Sequence, residues 1–347
     1  MGILDSIKPN EVLTNIFDYK MTIAGRPKAG KTSLVYKIVK EEFDGDVSKL
    51  LLVAFERGYN ALRGIHATDI KNWDEFIELV DELEETAGEN GYKVLAIDTV
   101  DLMAKRATEY MLKKRSRKDK KKYETLSDIP WGGGYDLLEE EVNAQISRLD
   151  YAGYGLIFIT HDKDKKFETK DGISYDKTVM SVSGRVGDLI KNTSDFIVFI
   201  EIAKELENGN AVDKRYIHFR GTGDMEAGGR FENIKDKIEY DTTDFINTIK
   251  DAILAEYDGD EDALAEASER QTAKKENALK ENKTVEKPDE DLVEDLYAEI
   301  FSLITGMTKE EKISWGEEIE NRFGTKNYKV SKDVEKLSKL VEDIKNA

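Results

Sequence analysis

One octapeptide near the start of the chain has the residue types and spacing of a phosphate-binding loop. Its residues, Gly25-Arg26-Pro27-Lys28-Ala29-Gly30-Lys31-Thr32, fit the pattern G-x-x-x-x-G-K-[ST] and are followed by Ser33. Glycines let backbone N–H groups surround phosphate oxygens, and the N-terminus of a following helix adds a favourable dipole. In this motif the lysine, Lys31, reaches the β- and γ-phosphates, and the hydroxyl of Thr32 helps to hold Mg²⁺. We therefore expect residues 25–33 to bind a nucleoside triphosphate together with Mg²⁺.

Two carboxylates follow apolar runs and are candidates to complete this site. Asp98 ends the run Val94-Leu95-Ala96-Ile97, where an aspartate is costly to bury unless a cation or hydrogen bonds compensate it. It is the expected second ligand of Mg²⁺, with a helix-capping aspartate as the alternative. Glu56 ends the apolar run 50–55 and is the expected general base that orients an attacking water. An ordinary exposed loop glutamate is the alternative there.

Two classes of nucleotide hydrolase are disfavoured by residues near these candidates. The residue after Asp98 is Thr99, whereas NTPases of the AAA+ type carry their glutamate base directly after that aspartate. A GTPase would need an N-K-x-D motif to recognise its base, and the segment Thr160-His161-Asp162-Lys163-Asp164 does not supply one. Both classes are therefore disfavoured.

Apolar runs that alternate with amphipathic segments predict the elements that position these residues. The runs predicted to be buried strands are 20–24, 50–55, 94–97, 155–160, 196–202 and 215–219. The segments predicted to be helices follow the loop to about residue 40 and span about 73–85 and 135–149. Continuous apolar strands between amphipathic helices indicate a parallel sheet covered on both faces. The predicted fold class is α/β, doubly wound and mostly parallel, ending in an antiparallel β-hairpin.

Composition divides the chain into three parts. Residues 1–257 carry the loop and the strands and are predicted to form the catalytic domain. Residues 258–290 are dominated by Asp, Glu, Lys, Ala and Asn, which predicts an acidic linker or a solvated helix. Residues 291–347 regain apolar periodicity, for example at Leu296, Ile300 and Leu303, and are predicted to form a small helical domain.

Overall composition excludes several kinds of site. The 347 residues include no cysteine, which removes disulfides, cysteine-ligated zinc, iron–sulfur clusters and thiol nucleophiles and favours a reducing, cytoplasmic setting. No apolar run approaches the roughly 20 residues that span a bilayer, so no membrane partner is expected. The formal charge of −19 would oppose nucleic acid, but residues 113–122 hold eight basic side chains and one acidic side chain. The net charge therefore says little about any single face.

The order of these and further motifs resembles the RecA-like ATPases, specifically the short phage-encoded recombination and single-strand-annealing proteins of the Sak type. The segments that carry the resemblance are GRPKAGKTS at 25–33, FERG at 55–58, LAIDTVD at 95–101, WGGGYDLLEEEV at 131–142, FITHDK at 158–163, SGRVGDLIKNTSDFIVFI at 183–200 and YIHFRGTGDMEAGGRF at 216–231. They cover roughly residues 15–250, and only the phosphate loop is diagnostic alone. The resemblance implies a RecA-like fold.

The resemblance also implies roles for individual residues. It places the glutamate base on the strand beside that of the metal-binding aspartate, which is the position of Glu56. It implies a polar γ-phosphate sensor at the end of a core strand, where His161 stands, with a satisfied loop histidine as the alternative. It further implies a basic finger from the terminal hairpin that reaches a neighbouring subunit's nucleotide. Arg220 fits this finger best and Arg230 second, although relatives often present two basic residues where Arg220 stands alone.

Single-stranded DNA is the partner that the resemblance implies for the segment after the metal-binding aspartate. The cations predicted to contact it are Lys113, Lys114, Arg115, Arg117 and Lys118, and the predicted aromatic platforms are Trp131 and Tyr135, with Tyr123 as a third. Single-strand binders combine a positive track with aromatic side chains on which bases stack. A second predicted loop, 162–180, adds Lys163, Lys165, Lys166, Lys170 and Phe167. The alternative is a solvated basic run on a surface loop.

These observations predict an ATP- and Mg²⁺-dependent ATPase that oligomerises on single-stranded DNA, as a filament or a ring. It would act in phage-type recombination, annealing or replication, with hydrolysis stimulated by DNA, and in the host cytoplasm if phage-encoded. Its C-terminal region is a candidate contact for a single-strand-binding or replication protein. The alternatives are a ring helicase or helicase loader, and an ATP-binding switch with little turnover that acts through its C-terminal domain.

Overall fold

The computed structural model describes residues 9–182, 184–284, 290–305, 307–323, 325–331 and 333–345. The chain forms two compact units, Met1–Leu279 and Lys280–Ala347. Residues 285–289 of the predicted linker and Ser183 of the motif at 183–200 lie outside the described residues. None of the helices in the described ranges combines the length and the apolar character that crossing a membrane requires.

The first unit is built on one mixed, mostly parallel sheet. The strands of the unit are β1 (Met21–Gly25), β2 (Leu50–Ala54), β3 (His66–Asp69), β4 (Val94–Asp98), β5 (Gly155–Thr160), β6 (Asp162–Glu168), β7 (Ser174–Met180), β8 (Phe196–Glu207), β9 (Asn210–His218), β10 (Gly228–Gly229) and β11 (Lys237–Glu239). The order across the sheet is β11-β9-β8-β1-β5-β4-β2-β3, and β10 pairs with β8. The strands from β8 to β3 are parallel, whereas β9 returns antiparallel to β8 as a hairpin. β6 and β7 form a separate antiparallel hairpin.

Helices cover both faces of this sheet. They are α1 (Lys31–Glu42), α2 (Trp73–Glu85), α3 (Val100–Asp119), α4 (Gly133–Tyr151), α5 (Gly184–Thr193), α6 (Thr242–Ala255) and α7 (Glu261–Thr284). Successive strand residues face opposite sides, so on β2 Leu50 and Leu52 pack with α1 and α6, while Leu51 and Val53 pack with α2 to α5. The predicted α/β fold, doubly wound and mostly parallel with a terminal hairpin, is confirmed.

Local sequence signals set several of the helix ends. Asn72 caps α2 by accepting a hydrogen bond from the Glu75 N–H, and Asp241 caps α6 by accepting one from the Asp244 N–H. α1 instead has Gly30 as its N-cap residue, and a glycine has no side chain that could cap the helix. The N–H groups at the start of α1 are therefore left for another partner.

The first part of α7 packs against the residues that precede β1. The Gln271 amide nitrogen donates to the Val12 carbonyl over 2.8 Å, and the Gln271 side-chain oxygen accepts from the Thr14 N–H over 3.0 Å. Arg270 forms an ion pair with Glu11 at 2.7 Å. Most of the charged segment after residue 257 is thus a helix that polar contacts fasten to the first unit.

The second unit is a small helical bundle. Its helices are α8 (Glu290–Thr305), α9 (Lys309–Phe323) and α10 (Val334–Lys345). Ile300, Ile319, Leu337 and Leu340 are buried together in its apolar cluster. The predicted C-terminal helical region is confirmed.

Two segments differ from the loops that the sequence predicted. α3 continues to Asp119, so the basic run lies on helical turns; lysine and arginine are good helix formers, and the first turns of α3 bury Val100, Met103 and Ala107. Residues 162–180 form the β6–β7 hairpin, which apolar patterning could not predict because most of its side chains are polar and exposed on both faces. The short edge strand β3 was also missed.

Candidate active site

Strand alternation brings three predicted site residues to the face of the sheet that α1 covers. On β4, Val94 and Ala96 belong to the apolar cluster on that face, and Asp98 continues the alternation. Taking every second residue along β2 and β5 in the same way places Glu56 and His161 on this face, just beyond the ends of those strands. Because parallel strands end at the same edge of a sheet, these side chains meet beside the phosphate loop.

The phosphate loop joins β1 to α1 through two residues with left-handed backbone conformation, Lys28 at φ 66° and Gly30 at φ 104°. At Gly25 a Cβ atom would lie 2.9 Å from the carbonyl oxygen of Ile200 on β8, so a side chain does not fit there. Among the other predicted ATP-binding residues, Lys31 and Ala29 are buried, Gly30, Thr32 and Ser33 are half-buried, and Arg26, Pro27 and Lys28 are exposed.

Lys31 points into the loop and is only 7% exposed. Its ammonium donates to the carbonyl oxygens of Gly25 over 2.7 Å and Arg26 over 3.1 Å, and lies 3.2 Å from Nδ1 of His161. Burial lowers the pKa of Lys31, and nearby carboxylates, Asp98 foremost, oppose that shift. A phosphate group in the loop would favour the charged ammonium further.

Thr32 and Asp98 form the pair predicted to hold Mg²⁺. The Thr32 hydroxyl donates to Oδ2 of Asp98 over 2.7 Å, and Asp98 is 5% exposed. Burial raises the pKa of Asp98, while the Thr32 hydrogen bond and Lys31 act in the opposite direction. Within the described residues, no group of three or more His, Cys, Asp or Glu side chains could hold a metal ion. A hydroxyl beside one carboxylate fits Mg²⁺, which is usually bound by one or two carboxylates, substrate phosphates and waters.

His161 connects Lys31 to Glu56. Because an ammonium can only donate, Nδ1 of His161 accepts from Lys31 and the ring proton is on Nε2. That Nε2 lies 3.4 Å from Oε2 of Glu56, whose side chain is 48% exposed. The backbone N–H of Glu56 donates to the Asp98 carbonyl over 3.1 Å, which fixes where the side chain leaves the sheet. The candidate base is therefore open to water and is linked to Lys31 through the candidate sensor, His161.

Asp101, to which the sequence analysis assigned no role, holds the turn that carries His161. Its Oδ2 accepts from the Thr160 hydroxyl over 2.9 Å and from the His161 N–H over 3.1 Å, and its Oδ1 accepts from the Ser181 hydroxyl. The signal for it was a second carboxylate three residues after Asp98, in the first turn of α3. Asp101 thus joins α3, the end of β5 and the end of the β6–β7 hairpin.

The two candidate finger arginines are engaged within their own chain. Arg220 forms an ion pair with Asp236 at 3.2 Å and donates to the Ile234 carbonyl over 3.3 Å. Arg230 forms an ion pair with Asp195 at 3.2 Å and its side chain is 66% exposed. Within the described part of the chain, neither bonds to the phosphate loop. A role in a neighbouring subunit stays a prediction, and Arg220 would have to exchange its present partners to take it.

The predicted DNA-contacting cations lie on the last turns of α3. Lys114 forms an ion pair with Glu141 at 3.3 Å, and Arg115 forms one with Asp119 at 2.6 Å. The remaining cations are exposed and form no ion pair with any described residue: Lys113, Arg117 and Lys118. Ion pairs therefore neutralise two of these five cations, and the other three have no ion pair among the described residues.

The three predicted aromatic platforms have different exposures. Trp131 is fully exposed and has φ 64°, a conformation that costs a non-glycine residue about 1–3 kcal/mol. Tyr135 is 41% exposed, and its hydroxyl lies 3.0 Å from that of Ser127. Tyr123 is only 6% exposed and donates to Asp119 over 3.0 Å, so its ring is not available for stacking and its predicted role is wrong.

The β6–β7 hairpin presents lysines and an aromatic pair. The rings of Phe167 and Tyr175 stack at a centroid distance of 5.9 Å, and the Lys165 ammonium lies 5.2 Å from the Phe167 centroid. Lys163 and Lys166 on the same strand are exposed. The predicted second loop is therefore an ordered strand pair that carries both positive charge and ring faces.

Two sets of contacts place these segments at the edge of the sheet that carries the phosphate loop. Trp73, the first residue of α2 after β3 ends, donates to Glu141 over 3.0 Å, and that carboxylate pairs with Lys114. Arg185, at the start of α5 after the hairpin, pairs with Asp136 in the first turn of α4 at 2.9 Å. α4 therefore contacts the basic turns of α3 through Glu141 and the start of α5 through Asp136, and it begins directly after the loop of Trp131.

A family model described as an AAA domain matches residues 18–231. A relative, the SPbeta prophage-derived uncharacterized protein YorG of Bacillus subtilis (strain 168), is 27% identical over 263 residues, which cover 74% of this chain and 72% of the relative. The match runs against the expectation, drawn from Thr99, that disfavoured NTPases of the AAA+ type. No glutamate follows Asp98, and Glu56, whose Oε2 lies 3.4 Å from Nε2 of His161, stays the predicted base. The chain belongs to the AAA domain family and carries a P-loop ATPase domain.

Proposed function

We propose that this protein is a Mg²⁺-dependent ATPase that binds single-stranded DNA, assembles with further copies of itself and acts in phage-type recombination, annealing or replication, as Sak-type RecA-like proteins do. The observation that carries the proposal is the convergence of Lys31, His161 and Glu56 beside the Thr32–Asp98 pair. The likeness to a prophage-derived protein supports the phage setting.

The chemistry proposed for the site is hydrolysis of the bond to the γ-phosphate. Loop N–H groups and Lys31 bind the phosphates, and Glu56 orients an attacking water and accepts its proton. His161, beside both residues, is placed to contact the γ-phosphate. Mg²⁺, held by Thr32 and Asp98, would supply neutralisation of phosphate charge when bound.

Single-stranded DNA is the proposed partner of the face formed by α3, the Trp131 loop and the β6–β7 hairpin. Exposed cations lie there beside exposed aromatic rings, the combination that binds a single strand without sequence preference. The strained and fully exposed Trp131 supports a binding role, because such conformations cluster at functional sites. The adjoining phosphate loop supports the proposal that DNA stimulates hydrolysis.

The C-terminal unit is the proposed contact for a single-strand-binding or replication protein. Its residues, 280–347, carry 17 acidic and 12 basic side chains, so they do not favour DNA itself. Within the bundle, Phe301 is 63% exposed and Ile313 59% exposed. Exposed apolar residues among acidic ones are consistent with a protein partner.

The decisive experiment measures phosphate release with and without single-stranded DNA, alongside electron micrographs of the same mixtures. We expect Mg²⁺-dependent hydrolysis that DNA stimulates, and oligomers that form on the strand. Directional unwinding of a duplex would favour a ring helicase or a helicase loader instead. ATP binding without DNA-stimulated turnover would favour a nucleotide-dependent switch.

A second experiment tests the DNA face through salt dependence. Neutralising Lys113, Arg117 and Lys118 to glutamine should weaken single-strand binding for every sequence and reduce the log–log salt slope by about 2, since each phosphate contact contributes about 0.7. The matched control neutralises three exposed lysines outside this face, Lys37 and Lys40 on α1 and Lys274 on α7. Equal slopes for the two triple variants would assign the basic turns of α3 to solvent.

A further inference from the structure

Two carbonyl groups of the phosphate loop accept hydrogen bonds from outside the loop. The Tyr240 hydroxyl donates to the carbonyl oxygen of Gly30 over 2.8 Å, and Nη1 of Arg215 lies 3.5 Å from the carbonyl oxygen of Ala29. The Gly30 oxygen also accepts the first bond of α1 from the Leu34 N–H, which its second lone pair allows. These partners stand 186 and 210 residues away in the sequence.

Tyr240 and Arg215 reach the loop as a stacked pair. Arg215 lies on β9 and Tyr240 directly follows β11, and the Tyr240 N–H donates to the Arg215 carbonyl over 2.8 Å. The guanidinium carbon lies 4.5 Å from the centroid of the tyrosine ring, a cation–π contact. Burial raises the pKa of Tyr240, so its hydroxyl keeps the proton that it donates at neutral pH.

The contact is close enough to require the glycine of the motif. A Cβ atom at position 30 would lie 2.8 Å from the Tyr240 hydroxyl oxygen and 3.2 Å from Nη1 of Arg215. Two features therefore favour glycine at position 30: its left-handed backbone conformation and the close approach of Tyr240 and Arg215.

The planar trans geometry of the peptide bond relates the direction of each of these carbonyl groups to that of a neighbouring N–H group. The carbonyl of Gly30 and the N–H of Lys31 belong to one peptide plane and point in opposite directions. The carbonyl of Ala29 and the N–H of Gly30 are related in the same way. A donor that fixes each carbonyl from outside therefore also aims the opposite N–H group into the loop, where the phosphates bind.

We propose that Tyr240 and Arg215 are positioning residues that hold the phosphate loop in its nucleotide-binding conformation from the terminal hairpin. The proposal rests on the proposed ATPase function and adds residues that the loop motif does not contain. The pair acts through the loop backbone, so it should strengthen binding of the ground state and of the transition state equally.

The test is the variant Tyr240→Phe, which removes the hydroxyl and keeps the ring. Losing one such hydrogen bond should weaken ATP binding by about 3- to 10-fold. KM should rise by that factor with kcat unchanged, the signature of lost uniform binding. Arg215→Met should have a similar effect, and the double variant should fall short of the product of the two, because the residues act as one unit.

The matched control is Tyr257→Phe, which removes another tyrosine hydroxyl that donates to a distant carbonyl, that of Val12, over 2.6 Å. It should leave KM unchanged. If Tyr240→Phe lowers only the thermal midpoint and leaves KM at the wild-type value, the pair is merely structural and the proposal is overturned. A drop in kcat at constant KM would also overturn it. Wild-type protein that neither binds nor hydrolyses ATP would refute the proposed function instead, before any variant is compared.

Discussion

Replacing Glu56 by glutamine tests the central assignment of the candidate site. The amide nearly matches the carboxylate in shape, and its oxygen can still accept from Nε2 of His161, which lies 3.4 Å from the carboxylate. What the change removes is the negative charge that draws a proton from the attacking water. A positioned general base contributes about 10²–10⁴ in rate. At 1.36 kcal/mol per tenfold change, that is about 2.7–5.4 kcal/mol of the activation barrier.

The same substitution should leave the fold and nucleotide binding nearly unchanged. The Glu56 side chain is 48% exposed, and its hydrogen bond from Nε2 of His161, of a kind that contributes about 0.5–1.5 kcal/mol, can still form with glutamine. The backbone bond from the Glu56 N–H to the Asp98 carbonyl is retained by glutamine. The expected result is therefore a kcat lower by two to four orders of magnitude, with the Kd for ATP and the thermal midpoint close to the wild-type values.

Steady-state phosphate release at saturating ATP and Mg²⁺ gives kcat, and titration with a fluorescent ATP analogue gives Kd. The matched control is Glu41→Gln, at an exposed glutamate in the last turn of α1, which should change neither quantity. If kcat of Glu56→Gln stays within about threefold of the wild type, the base lies elsewhere and Glu56 is a surface residue.

Three further substitutions separate binding, metal and subunit contributions. Lys31→Ala should weaken ATP binding about 10- to 100-fold, the range for bonds to a charged group, and abolish turnover; wild-type-like hydrolysis would contradict the nucleotide site. Asp98→Asn should abolish Mg²⁺-dependent turnover yet raise the thermal midpoint of the nucleotide-free protein at pH 7. Because burial raises the pKa of Asp98, its stabilising contribution is full below the ordinary carboxyl pKa and is lost as pH rises through the raised value, so midpoints of variant and wild type should converge in acid. Arg220→Ala should bind ATP normally but hydrolyse it about 10³-fold more slowly, and mixing it with Lys31→Ala should restore some activity; a mixture that forms mixed oligomers and stays inactive argues against a finger in trans.

The fold could be predicted where apolar periodicity is strong. The predicted helix 73–85 coincides with α2, and all six predicted strands are present; β1, β2, β4 and β5 bury every residue, whereas β8 and β9 bury mainly the apolar part that the sequence showed. β3 was missed because its four residues, His66–Asp69, lie at the sheet edge and carry little apolar pattern. The β6–β7 hairpin was missed for a related reason: its strands are held by their own ladder of hydrogen bonds rather than by burial.

The candidate site divides in the same way. Lys31 and Thr32 follow from a contiguous motif, and Asp98 follows from its place at the end of an apolar strand. Arg215 and Tyr240 could not be predicted, and Asp101 had only its place three residues after Asp98 as a signal, because each meets the site through contacts between segments far apart in the sequence. The sequence also predicts charge more readily than pairing: it identified the basic run of α3, but not that Glu141 and Asp119 neutralise part of it.

The contacts between α7 and the residues before β1 determine where the chain can be cut for dissection. A truncation after residue 257 would remove Arg270 and Gln271, leave Glu11 and Thr14 without their present partners, and leave the Val12 carbonyl with only the Tyr257 hydroxyl. Limited proteolysis should accordingly release an N-terminal fragment that ends beyond residue 271 rather than near 257. A fragment ending at Leu279, where the first compact unit ends, keeps the contacts between α7 and the residues before β1. It is therefore the better fragment for measuring the ATPase domain alone.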